Sequence, residues 1–230
     1  MKSIGIIFAM QEELTELLKY IDLQKEYTIF DLKFYEGYIH NHNCILVECG
    51  VGKVNAARCT QILIDNMKVD YIFNIGVAGG ISNELKVCDI VIGKRLVQHD
   101  FDITAFNHEK GYIPNVGVFI DSDEYLVRIA EKVKDENDIN ALTGTIASGD
   151  IFCTEKKMSE KIHNKFNALC VEMEGASIAQ VCYLSHIPFV IIRSISDVPN
   201  NDNVITYEEF LEISSVRVAK FMNQILKKID

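Results

Sequence analysis

Proline is scarce in this chain, with three among 230 residues. No stretch is rich in proline, glycine or serine, and no repeat or low-complexity segment interrupts the sequence, so nothing marks a linker. One domain spanning residues 1–230 is expected, and 48% hydrophobic residues suffices for a sizeable core. Positive charge is the second shortage. Lys plus Arg is 23 against 33 for Asp plus Glu, a net charge of −10. That balance argues against nucleic acid or an anionic membrane surface as partner and suits small polar or cationic ligands. Long apolar runs are missing too. The first, residues 4–9, runs at once into Met10-Gln11-Glu12-Glu13, too short for a signal peptide or a membrane span, so a cytoplasmic location is expected. The seven cysteines, at 44, 49, 59, 88, 153, 170 and 182, contain no Cys-x-x-Cys pair and leave an odd one over, which suits reduced, mostly buried thiols.

What the chain does have is a repeated ending. Short apolar runs stop abruptly in glycine, serine or charge. Residues 4–9 lead into Met10-Gln11-Glu12-Glu13, and 71–75 into Gly76-Val77-Ala78-Gly79-Gly80. Residues 141–147 lead into Ser148-Gly149-Asp150, and 189–192 into Arg193-Ser194-Ile195-Ser196-Asp197. The fifth ending, Val171-Glu172-Met173-Glu174-Gly175, sets two acids where an apolar strand hands over to a helix, and an ionised carboxylate there needs a partner, a shifted pKa or a ligand. Such strands, alternating with helical patterns at about 12–20, 53–67, 123–134, 156–166 and 175–185, imply an α/β fold with a central, mixed but largely parallel sheet. In that class ligands lie beyond the carboxyl ends of the strands, so the five endings can converge on one pocket.

Several features have a plain reading beside a functional one. Glu12 and Glu13 suit the first turn of a helix through its dipole, and either can also serve as a general base. His40 and His42 read as a solvated turn between two strands, with no third metal ligand nearby in sequence. Gly50-Val51-Gly52-Lys53 lacks the third glycine of a dinucleotide fingerprint and the spacing of a P-loop, so it suggests close backbone approach to some other ligand. The glycines at 76, 79 and 80 are expected to turn the end of their strand and free backbone N–H groups. The segment from Gln98 to Pro114 mixes apolar and polar residues as a functional or interfacial loop does, with His99 and Asp100 fixing it. Phe152, just after Ser148-Gly149-Asp150, is either core or a platform on which a planar base stacks. Thr206 with Glu209 reads as a capping box for the last helix.

The order MQEE, GVGKVNAA, NIGVAGG, VQHDFDITAF, SGDIF, VEMEGASIA and RSISD resembles the methylthioadenosine/S-adenosylhomocysteine nucleosidases of the nucleoside phosphorylase superfamily, over nearly the whole chain. The resemblance implies a three-layer α/β/α sandwich and a homodimer. It implies hydrolysis of the N-glycosidic bond of 5′-substituted adenine nucleosides, with no metal and no organic cofactor. Residue by residue, it implies that Glu13 activates the attacking water and that Asp197 protonates purine N7, with Ser196 orienting it and Arg193 near the water. Met173 and Glu174 resemble the ribose-binding pair, Phe152 the ring stacked on adenine, Cys153 the position whose backbone binds the base, and Gly79 a substrate-contact glycine. Val51, Val77 and Tyr207 stand at further substrate contacts. Ile103, Phe106 and Pro114 match the loop that a partner subunit inserts over the 5′ substituent.

Ile75 and Val77 depart from the hydroxyl residues of many members, which implies a changed substrate preference or rate rather than lost activity. Val77 with the VQHD segment also resembles the branch that accepts 6-amino-6-deoxyfutalosine in menaquinone synthesis. Two other readings remain open. A phosphorylase on the same fold needs cations for a phosphate dianion, where this chain offers Gln11-Glu12-Glu13 and only Lys53. A non-catalytic nucleoside-binding module has no need of Glu13, Glu174 and Asp197 together.

Overall fold

Strand β5 (Tyr71–Gly80) is the element on which the architecture turns. The computed structural model describes residues 1–198 and 203–230, the side chains of 203–209 excepted. Along its first half β5 lies parallel to β1 (Ser3–Phe8), with Ile4 to Ile7 opposite Tyr71 to Asn74. On its other edge it runs parallel to β10 (Phe189–Asp197) for nearly its whole length. Only its last residues, Gly79 and Gly80, pair with β9 (Ala168–Glu172), in antiparallel fashion. Between Asn74 and Gly79, among the described residues, no strand pairs the edge that β1 leaves and β9 takes over. A gap in a ladder leaves backbone groups to be satisfied by something else.

The remaining pairings close a ring. β10 is antiparallel to β6 (Ile90–Gln98), β6 is parallel to β8 (Ala141–Ser148), and β8 is parallel to β9. β5, β10, β6, β8 and β9 therefore form a closed circuit. From β5 an open flank continues through β1 to β4 (His42–Glu48), then β3 (Leu32–Ile39) and β2 (Asp22–Ile29), the last two joined antiparallel. A short β7 (Ile120–Asp121) adds to β6.

Helices cover both faces, as expected. One face packs against α1 (Gln11–Leu18), α3 (Glu124–Glu136) and α6 (Asn203–Leu226), with Leu14, Leu17, Leu126, Phe221 and Met222 buried between them and the sheet. The other packs against α2 (Lys53–Ile62), which ends in a π turn over Leu63–Met67, and α5 (Gly175–Ser185), through Ala56, Cys59, Ala179 and Cys182. α4 (Lys156–Phe166) seals the outside of β8 and β9 with Ile162 and Phe166. None of the described helices is long and apolar enough to cross a membrane.

Four local expectations are corrected. The glycine run from Gly76 to Gly80 does not turn but continues β5, and Arg193 to Asp197 continue β10. The parallel ladder between these two central strands supplies the hydrogen bonds that override the local turn preference. His42 is not in a solvated turn: it opens β4 and is 4% exposed, while His40 stays in the turn, with Nε2 3.1 Å from the Asn223 carbonyl oxygen. α6 already runs from Asn203, so Thr206 lies inside the helix rather than at its N-cap, and the Thr206 and Glu209 side chains, like that of Tyr207, lie outside the described residues.

Candidate active site

Glu13 fills the gap in the β5 edge. It is the third residue of α1, and its side chain folds back so that Oε2 accepts the backbone N–H groups of Ala9 (3.0 Å) and Met10 (3.2 Å), orphans of a helix start. Its Oε1 accepts the N–H of Val77 at 2.9 Å, within the unpaired stretch of β5. Gly76 makes this approach possible, since a Cβ there would stand 2.5 Å from Glu13 Oε1. Glu12, by contrast, is exposed. Burial pushes the Glu13 carboxyl above the usual carboxylate range, while the Arg193 guanidinium and the three N–H donors pull it back.

Glu172 and Glu174, one residue apart, have different surroundings. Glu172, at the end of β9, pairs with Arg193, accepts the Ser148 hydroxyl proton, and accepts the N–H groups of Glu174 (3.2 Å) and Gly175 (2.7 Å) at the start of α5. Glu174 takes one N–H, from Gly52 at 2.7 Å, at the N-terminus of α2. Burial first, and then the Glu172 charge, raise Glu174 to about 7. Asp197 ends β10, 2% exposed, and its Oδ1 accepts the Ser196 hydroxyl at 2.9 Å. Burial raises its pKa, and the Ser196 hydrogen bond opposes this weakly.

One cavity of about 240 Å³ brings these groups together. Glu13, Glu172, Glu174 and Asp197 all line it, and among its described lining residues there is no lysine or arginine. Of the remaining residues singled out from the sequence, Val51, Val77, Gly79, Phe152, Cys153, Met173 and Ser196 also line it. Phe152 is 49% exposed, its ring not spent on the core. Arg193 is not in the lining: it is 1% exposed and lies behind the wall, held by Glu172 and by the side-chain and main-chain oxygens of Asn74. Among the described contacts its ion pair is with Glu172 and not with Asp197. Ile103, Phe106 and Pro114 do not line the cavity of their own chain. Phe106 is 75% exposed, in a 3-10 turn over Thr104–Phe106.

The sequence reading missed Met10 and Ile151 in the lining, and Asn74 and Ser148 beneath it. A polar Asn74 inside an apolar strand was a usable signal, because a fully buried amide needs a partner. Lys53, the cation considered for a phosphate, is engaged by Asp100 at 2.7 Å and Gln98 at 3.2 Å. Asp100 does fix its loop, as expected, and His99 packs on Gly149, where a Cβ would come within 2.3 Å of its ring.

The chain matches the model of the phosphorylase superfamily over residues 3–228. It is 40% identical over 229 residues to a 5′-methylthioadenosine/S-adenosylhomocysteine nucleosidase of Geobacillus sp. (strain WCH70), covering 99% of each chain. It is 38% identical to the nucleosidase of that name from Bacillus subtilis (strain 168), covering 98% of this chain and 99% of that one. Among solved structures, the Helicobacter pylori nucleosidase in complex with a pyrrolo-pyrimidine pyrrolidinol superposes with a TM-score of 0.96 at 36% identity, over 99% of both chains. A chain described as the native futalosine hydrolase of Helicobacter pylori strain 26695 gives 0.96 and 36%, over 99% of this chain and 98% of that one.

Proposed function

The chain belongs to the phosphorylase superfamily and, within it, to the 5′-methylthioadenosine/S-adenosylhomocysteine nucleosidases, and from that membership we propose how its cavity cleaves the substrate. The protein is a purine nucleosidase, hydrolysing the N-glycosidic bond of 5′-methylthioadenosine and S-adenosylhomocysteine to adenine and the 5′-substituted ribose. The observation that carries the choice of water over phosphate is the lining itself, with four carboxylates and, among its described residues, no cation. A dianion there would meet several like charges at close range without a counter-charge.

Bond cleavage develops positive charge on the ribose and negative charge on the departing purine. Burial disfavours the Asp197 anion and raises its pKa, the direction an acid needs, and Asp197 donates a proton to purine N7, oriented by Ser196. Glu13, aimed by three N–H groups, takes the proton of the attacking water, and burial makes it a stronger base than an exposed glutamate. Glu174 accepts the ribose hydroxyls beside Met173, and Phe152 stacks on adenine. Arg193 acts from behind the wall, where its ion pair with Glu172 fixes the end of β9. The protein works in the cytoplasm as a homodimer in which Ile103, Phe106 and Pro114 of each chain cover the 5′ group bound by the other. Their absence from their own chain's lining, with Phe106 left exposed, favours this.

A second substrate, 6-amino-6-deoxyfutalosine, is favoured by the likeness to the futalosine hydrolase and by the apolar Val77 in the lining. The test of the reading is adenine release from methylthioadenosine in phosphate-free buffer and again with phosphate added. Equal release in both supports hydrolysis, and release only with phosphate overturns it.

A further inference from the structure

Lys53 is a cation next to the catalytic cavity that the mechanism above does not use. It belongs to a clamp formed by three segments distant in sequence. Its Nζ donates to Asp100 Oδ1 at 2.7 Å, and the other oxygen of Asp100 accepts the backbone N–H of Asp150 at 2.9 Å. Asp150 in turn accepts the backbone N–H of Lys53 at 2.9 Å through its Oδ1. The residue before Lys53 is Gly52, the N-cap of α2, with φ of 101°, a region costly for any other residue. Its N–H is the one aimed at Glu174 Oε1. The two adjacent N–H groups at the start of α2 thus point at two carboxylates: Gly52 serves the cavity, and Lys53 serves the clamp. Two residues past Asp150, Phe152 lines the same cavity.

We infer that the Asp100–Lys53–Asp150 cluster is a positioning device that holds the Gly52 N–H on Glu174 and holds the Phe152 loop against the start of α2. The inference rests on the role proposed for Glu174 in binding the ribose. Side chains of Lys53 and Asp100 are 17% and 19% exposed, so their pair is shielded enough to hold a geometry that a fully solvated pair would not. None of the three clamp side chains lines the cavity, so each acts through a residue that does. The groups facing Glu174 are Glu172 from β9, Arg193 from β10, Glu13 from α1 and Cys49 after β4. Among the described residues, Arg193 and the Gly52 N–H are the groups that favour its anion.

The test compares wild type with Asp100→Asn and, as a second variant should the first fold poorly, Lys53→Met. Steady-state kinetics on methylthioadenosine as a function of pH are joined with amide hydrogen exchange of the glycine-labelled protein. The clamp predicts that KM rises about fivefold while kcat changes less, the scale of one loosened hydrogen bond. The lower-pH limb of kcat/KM moves up by about half a unit as Glu174 loses its donor. Exchange at Gly52 quickens by about tenfold, with the other glycines unchanged. Unchanged exchange at Gly52 in a folded variant overturns the inference, as does an equal fall in kcat with KM and the pH limb fixed. A wild type that releases no adenine would overturn the nucleosidase reading, and the exchange measurement would still decide the clamp.

Discussion

Two buried acids end the strands that flank the last residues of β5, and their surroundings differ. Glu172, ending β9, has a guanidinium, a hydroxyl and two N–H groups around it. Asp197, ending β10, has one hydroxyl donor among the described residues, and burial raises its pKa. The donors around Glu172 tie it to β8, β10 and the start of α5 and so fix the wall. Asp197, with fewer donors among the described residues and a pKa raised by burial, has the surroundings that the proposed proton donor needs. The difference lies in the number of partners rather than in burial, since Glu172 is 8% and Asp197 2% exposed.

The comparison breaks most visibly at Glu172. Glu172→Ala leaves Arg193, 1% exposed, without its counter-charge and should destabilise the fold by about 3–5 kcal/mol, read from urea unfolding. A loss of less than about 1 kcal/mol would mean the pair is not what holds the wall. Asp197→Asn should do the reverse, lowering kcat on methylthioadenosine by about a hundredfold or more with unfolding unchanged or shifted to higher urea. An unstable Asp197→Asn would make Asp197 another structural acid. Gly76→Ala drives a Cβ against Glu13 and should cut kcat by about tenfold, with the KM for methylthioadenosine nearly constant.

The smallest effect is a pH dependence. Glu174 in the folded chain titrates at about 7, above its ordinary 4.5. Below the lower value both folded and unfolded chains are protonated, and wild type and Glu174→Gln differ least. As pH rises through this window the unfolded chain sheds the proton while the folded chain holds it, so wild type loses stability relative to Glu174→Gln. A stability difference that does not move between these two pH values would contradict the assigned environment.

The sequence carried the starts of the central strands and several helices well. α4 and α5 fall where periodicity sets them, and every candidate residue whose side chain is described, apart from Arg193 and the three loop residues, lines one cavity. The misses share a cause. Gly76 to Gly80 and Arg193 to Asp197 look like turns locally and become strand only because β5 and β10 pair with each other. Residues 27–30 read as a strand, and the exposed polar residues 22–26 that extend β2 ahead of them are strand because of their partner β3 rather than their pattern. The separate fates of Glu172 and Glu174 were invisible because they depend on Arg193, Ser148 and Gly52, brought together by three other segments. The ring closure through β9 is likewise a long-range event, with no local signal in Ala168 to Glu172.

If Asp197 acts by protonating the leaving base, its loss should matter only for a leaving group that needs a proton. Cleavage of methylthioadenosine and of the 4-nitrophenyl glycoside of 5-methylthioribose, whose phenolate leaves without a proton, is measured for wild type and Asp197→Asn. The account predicts a fall of about a hundredfold or more for methylthioadenosine and a change within about threefold for the nitrophenyl substrate. Equal losses on both substrates would contradict it.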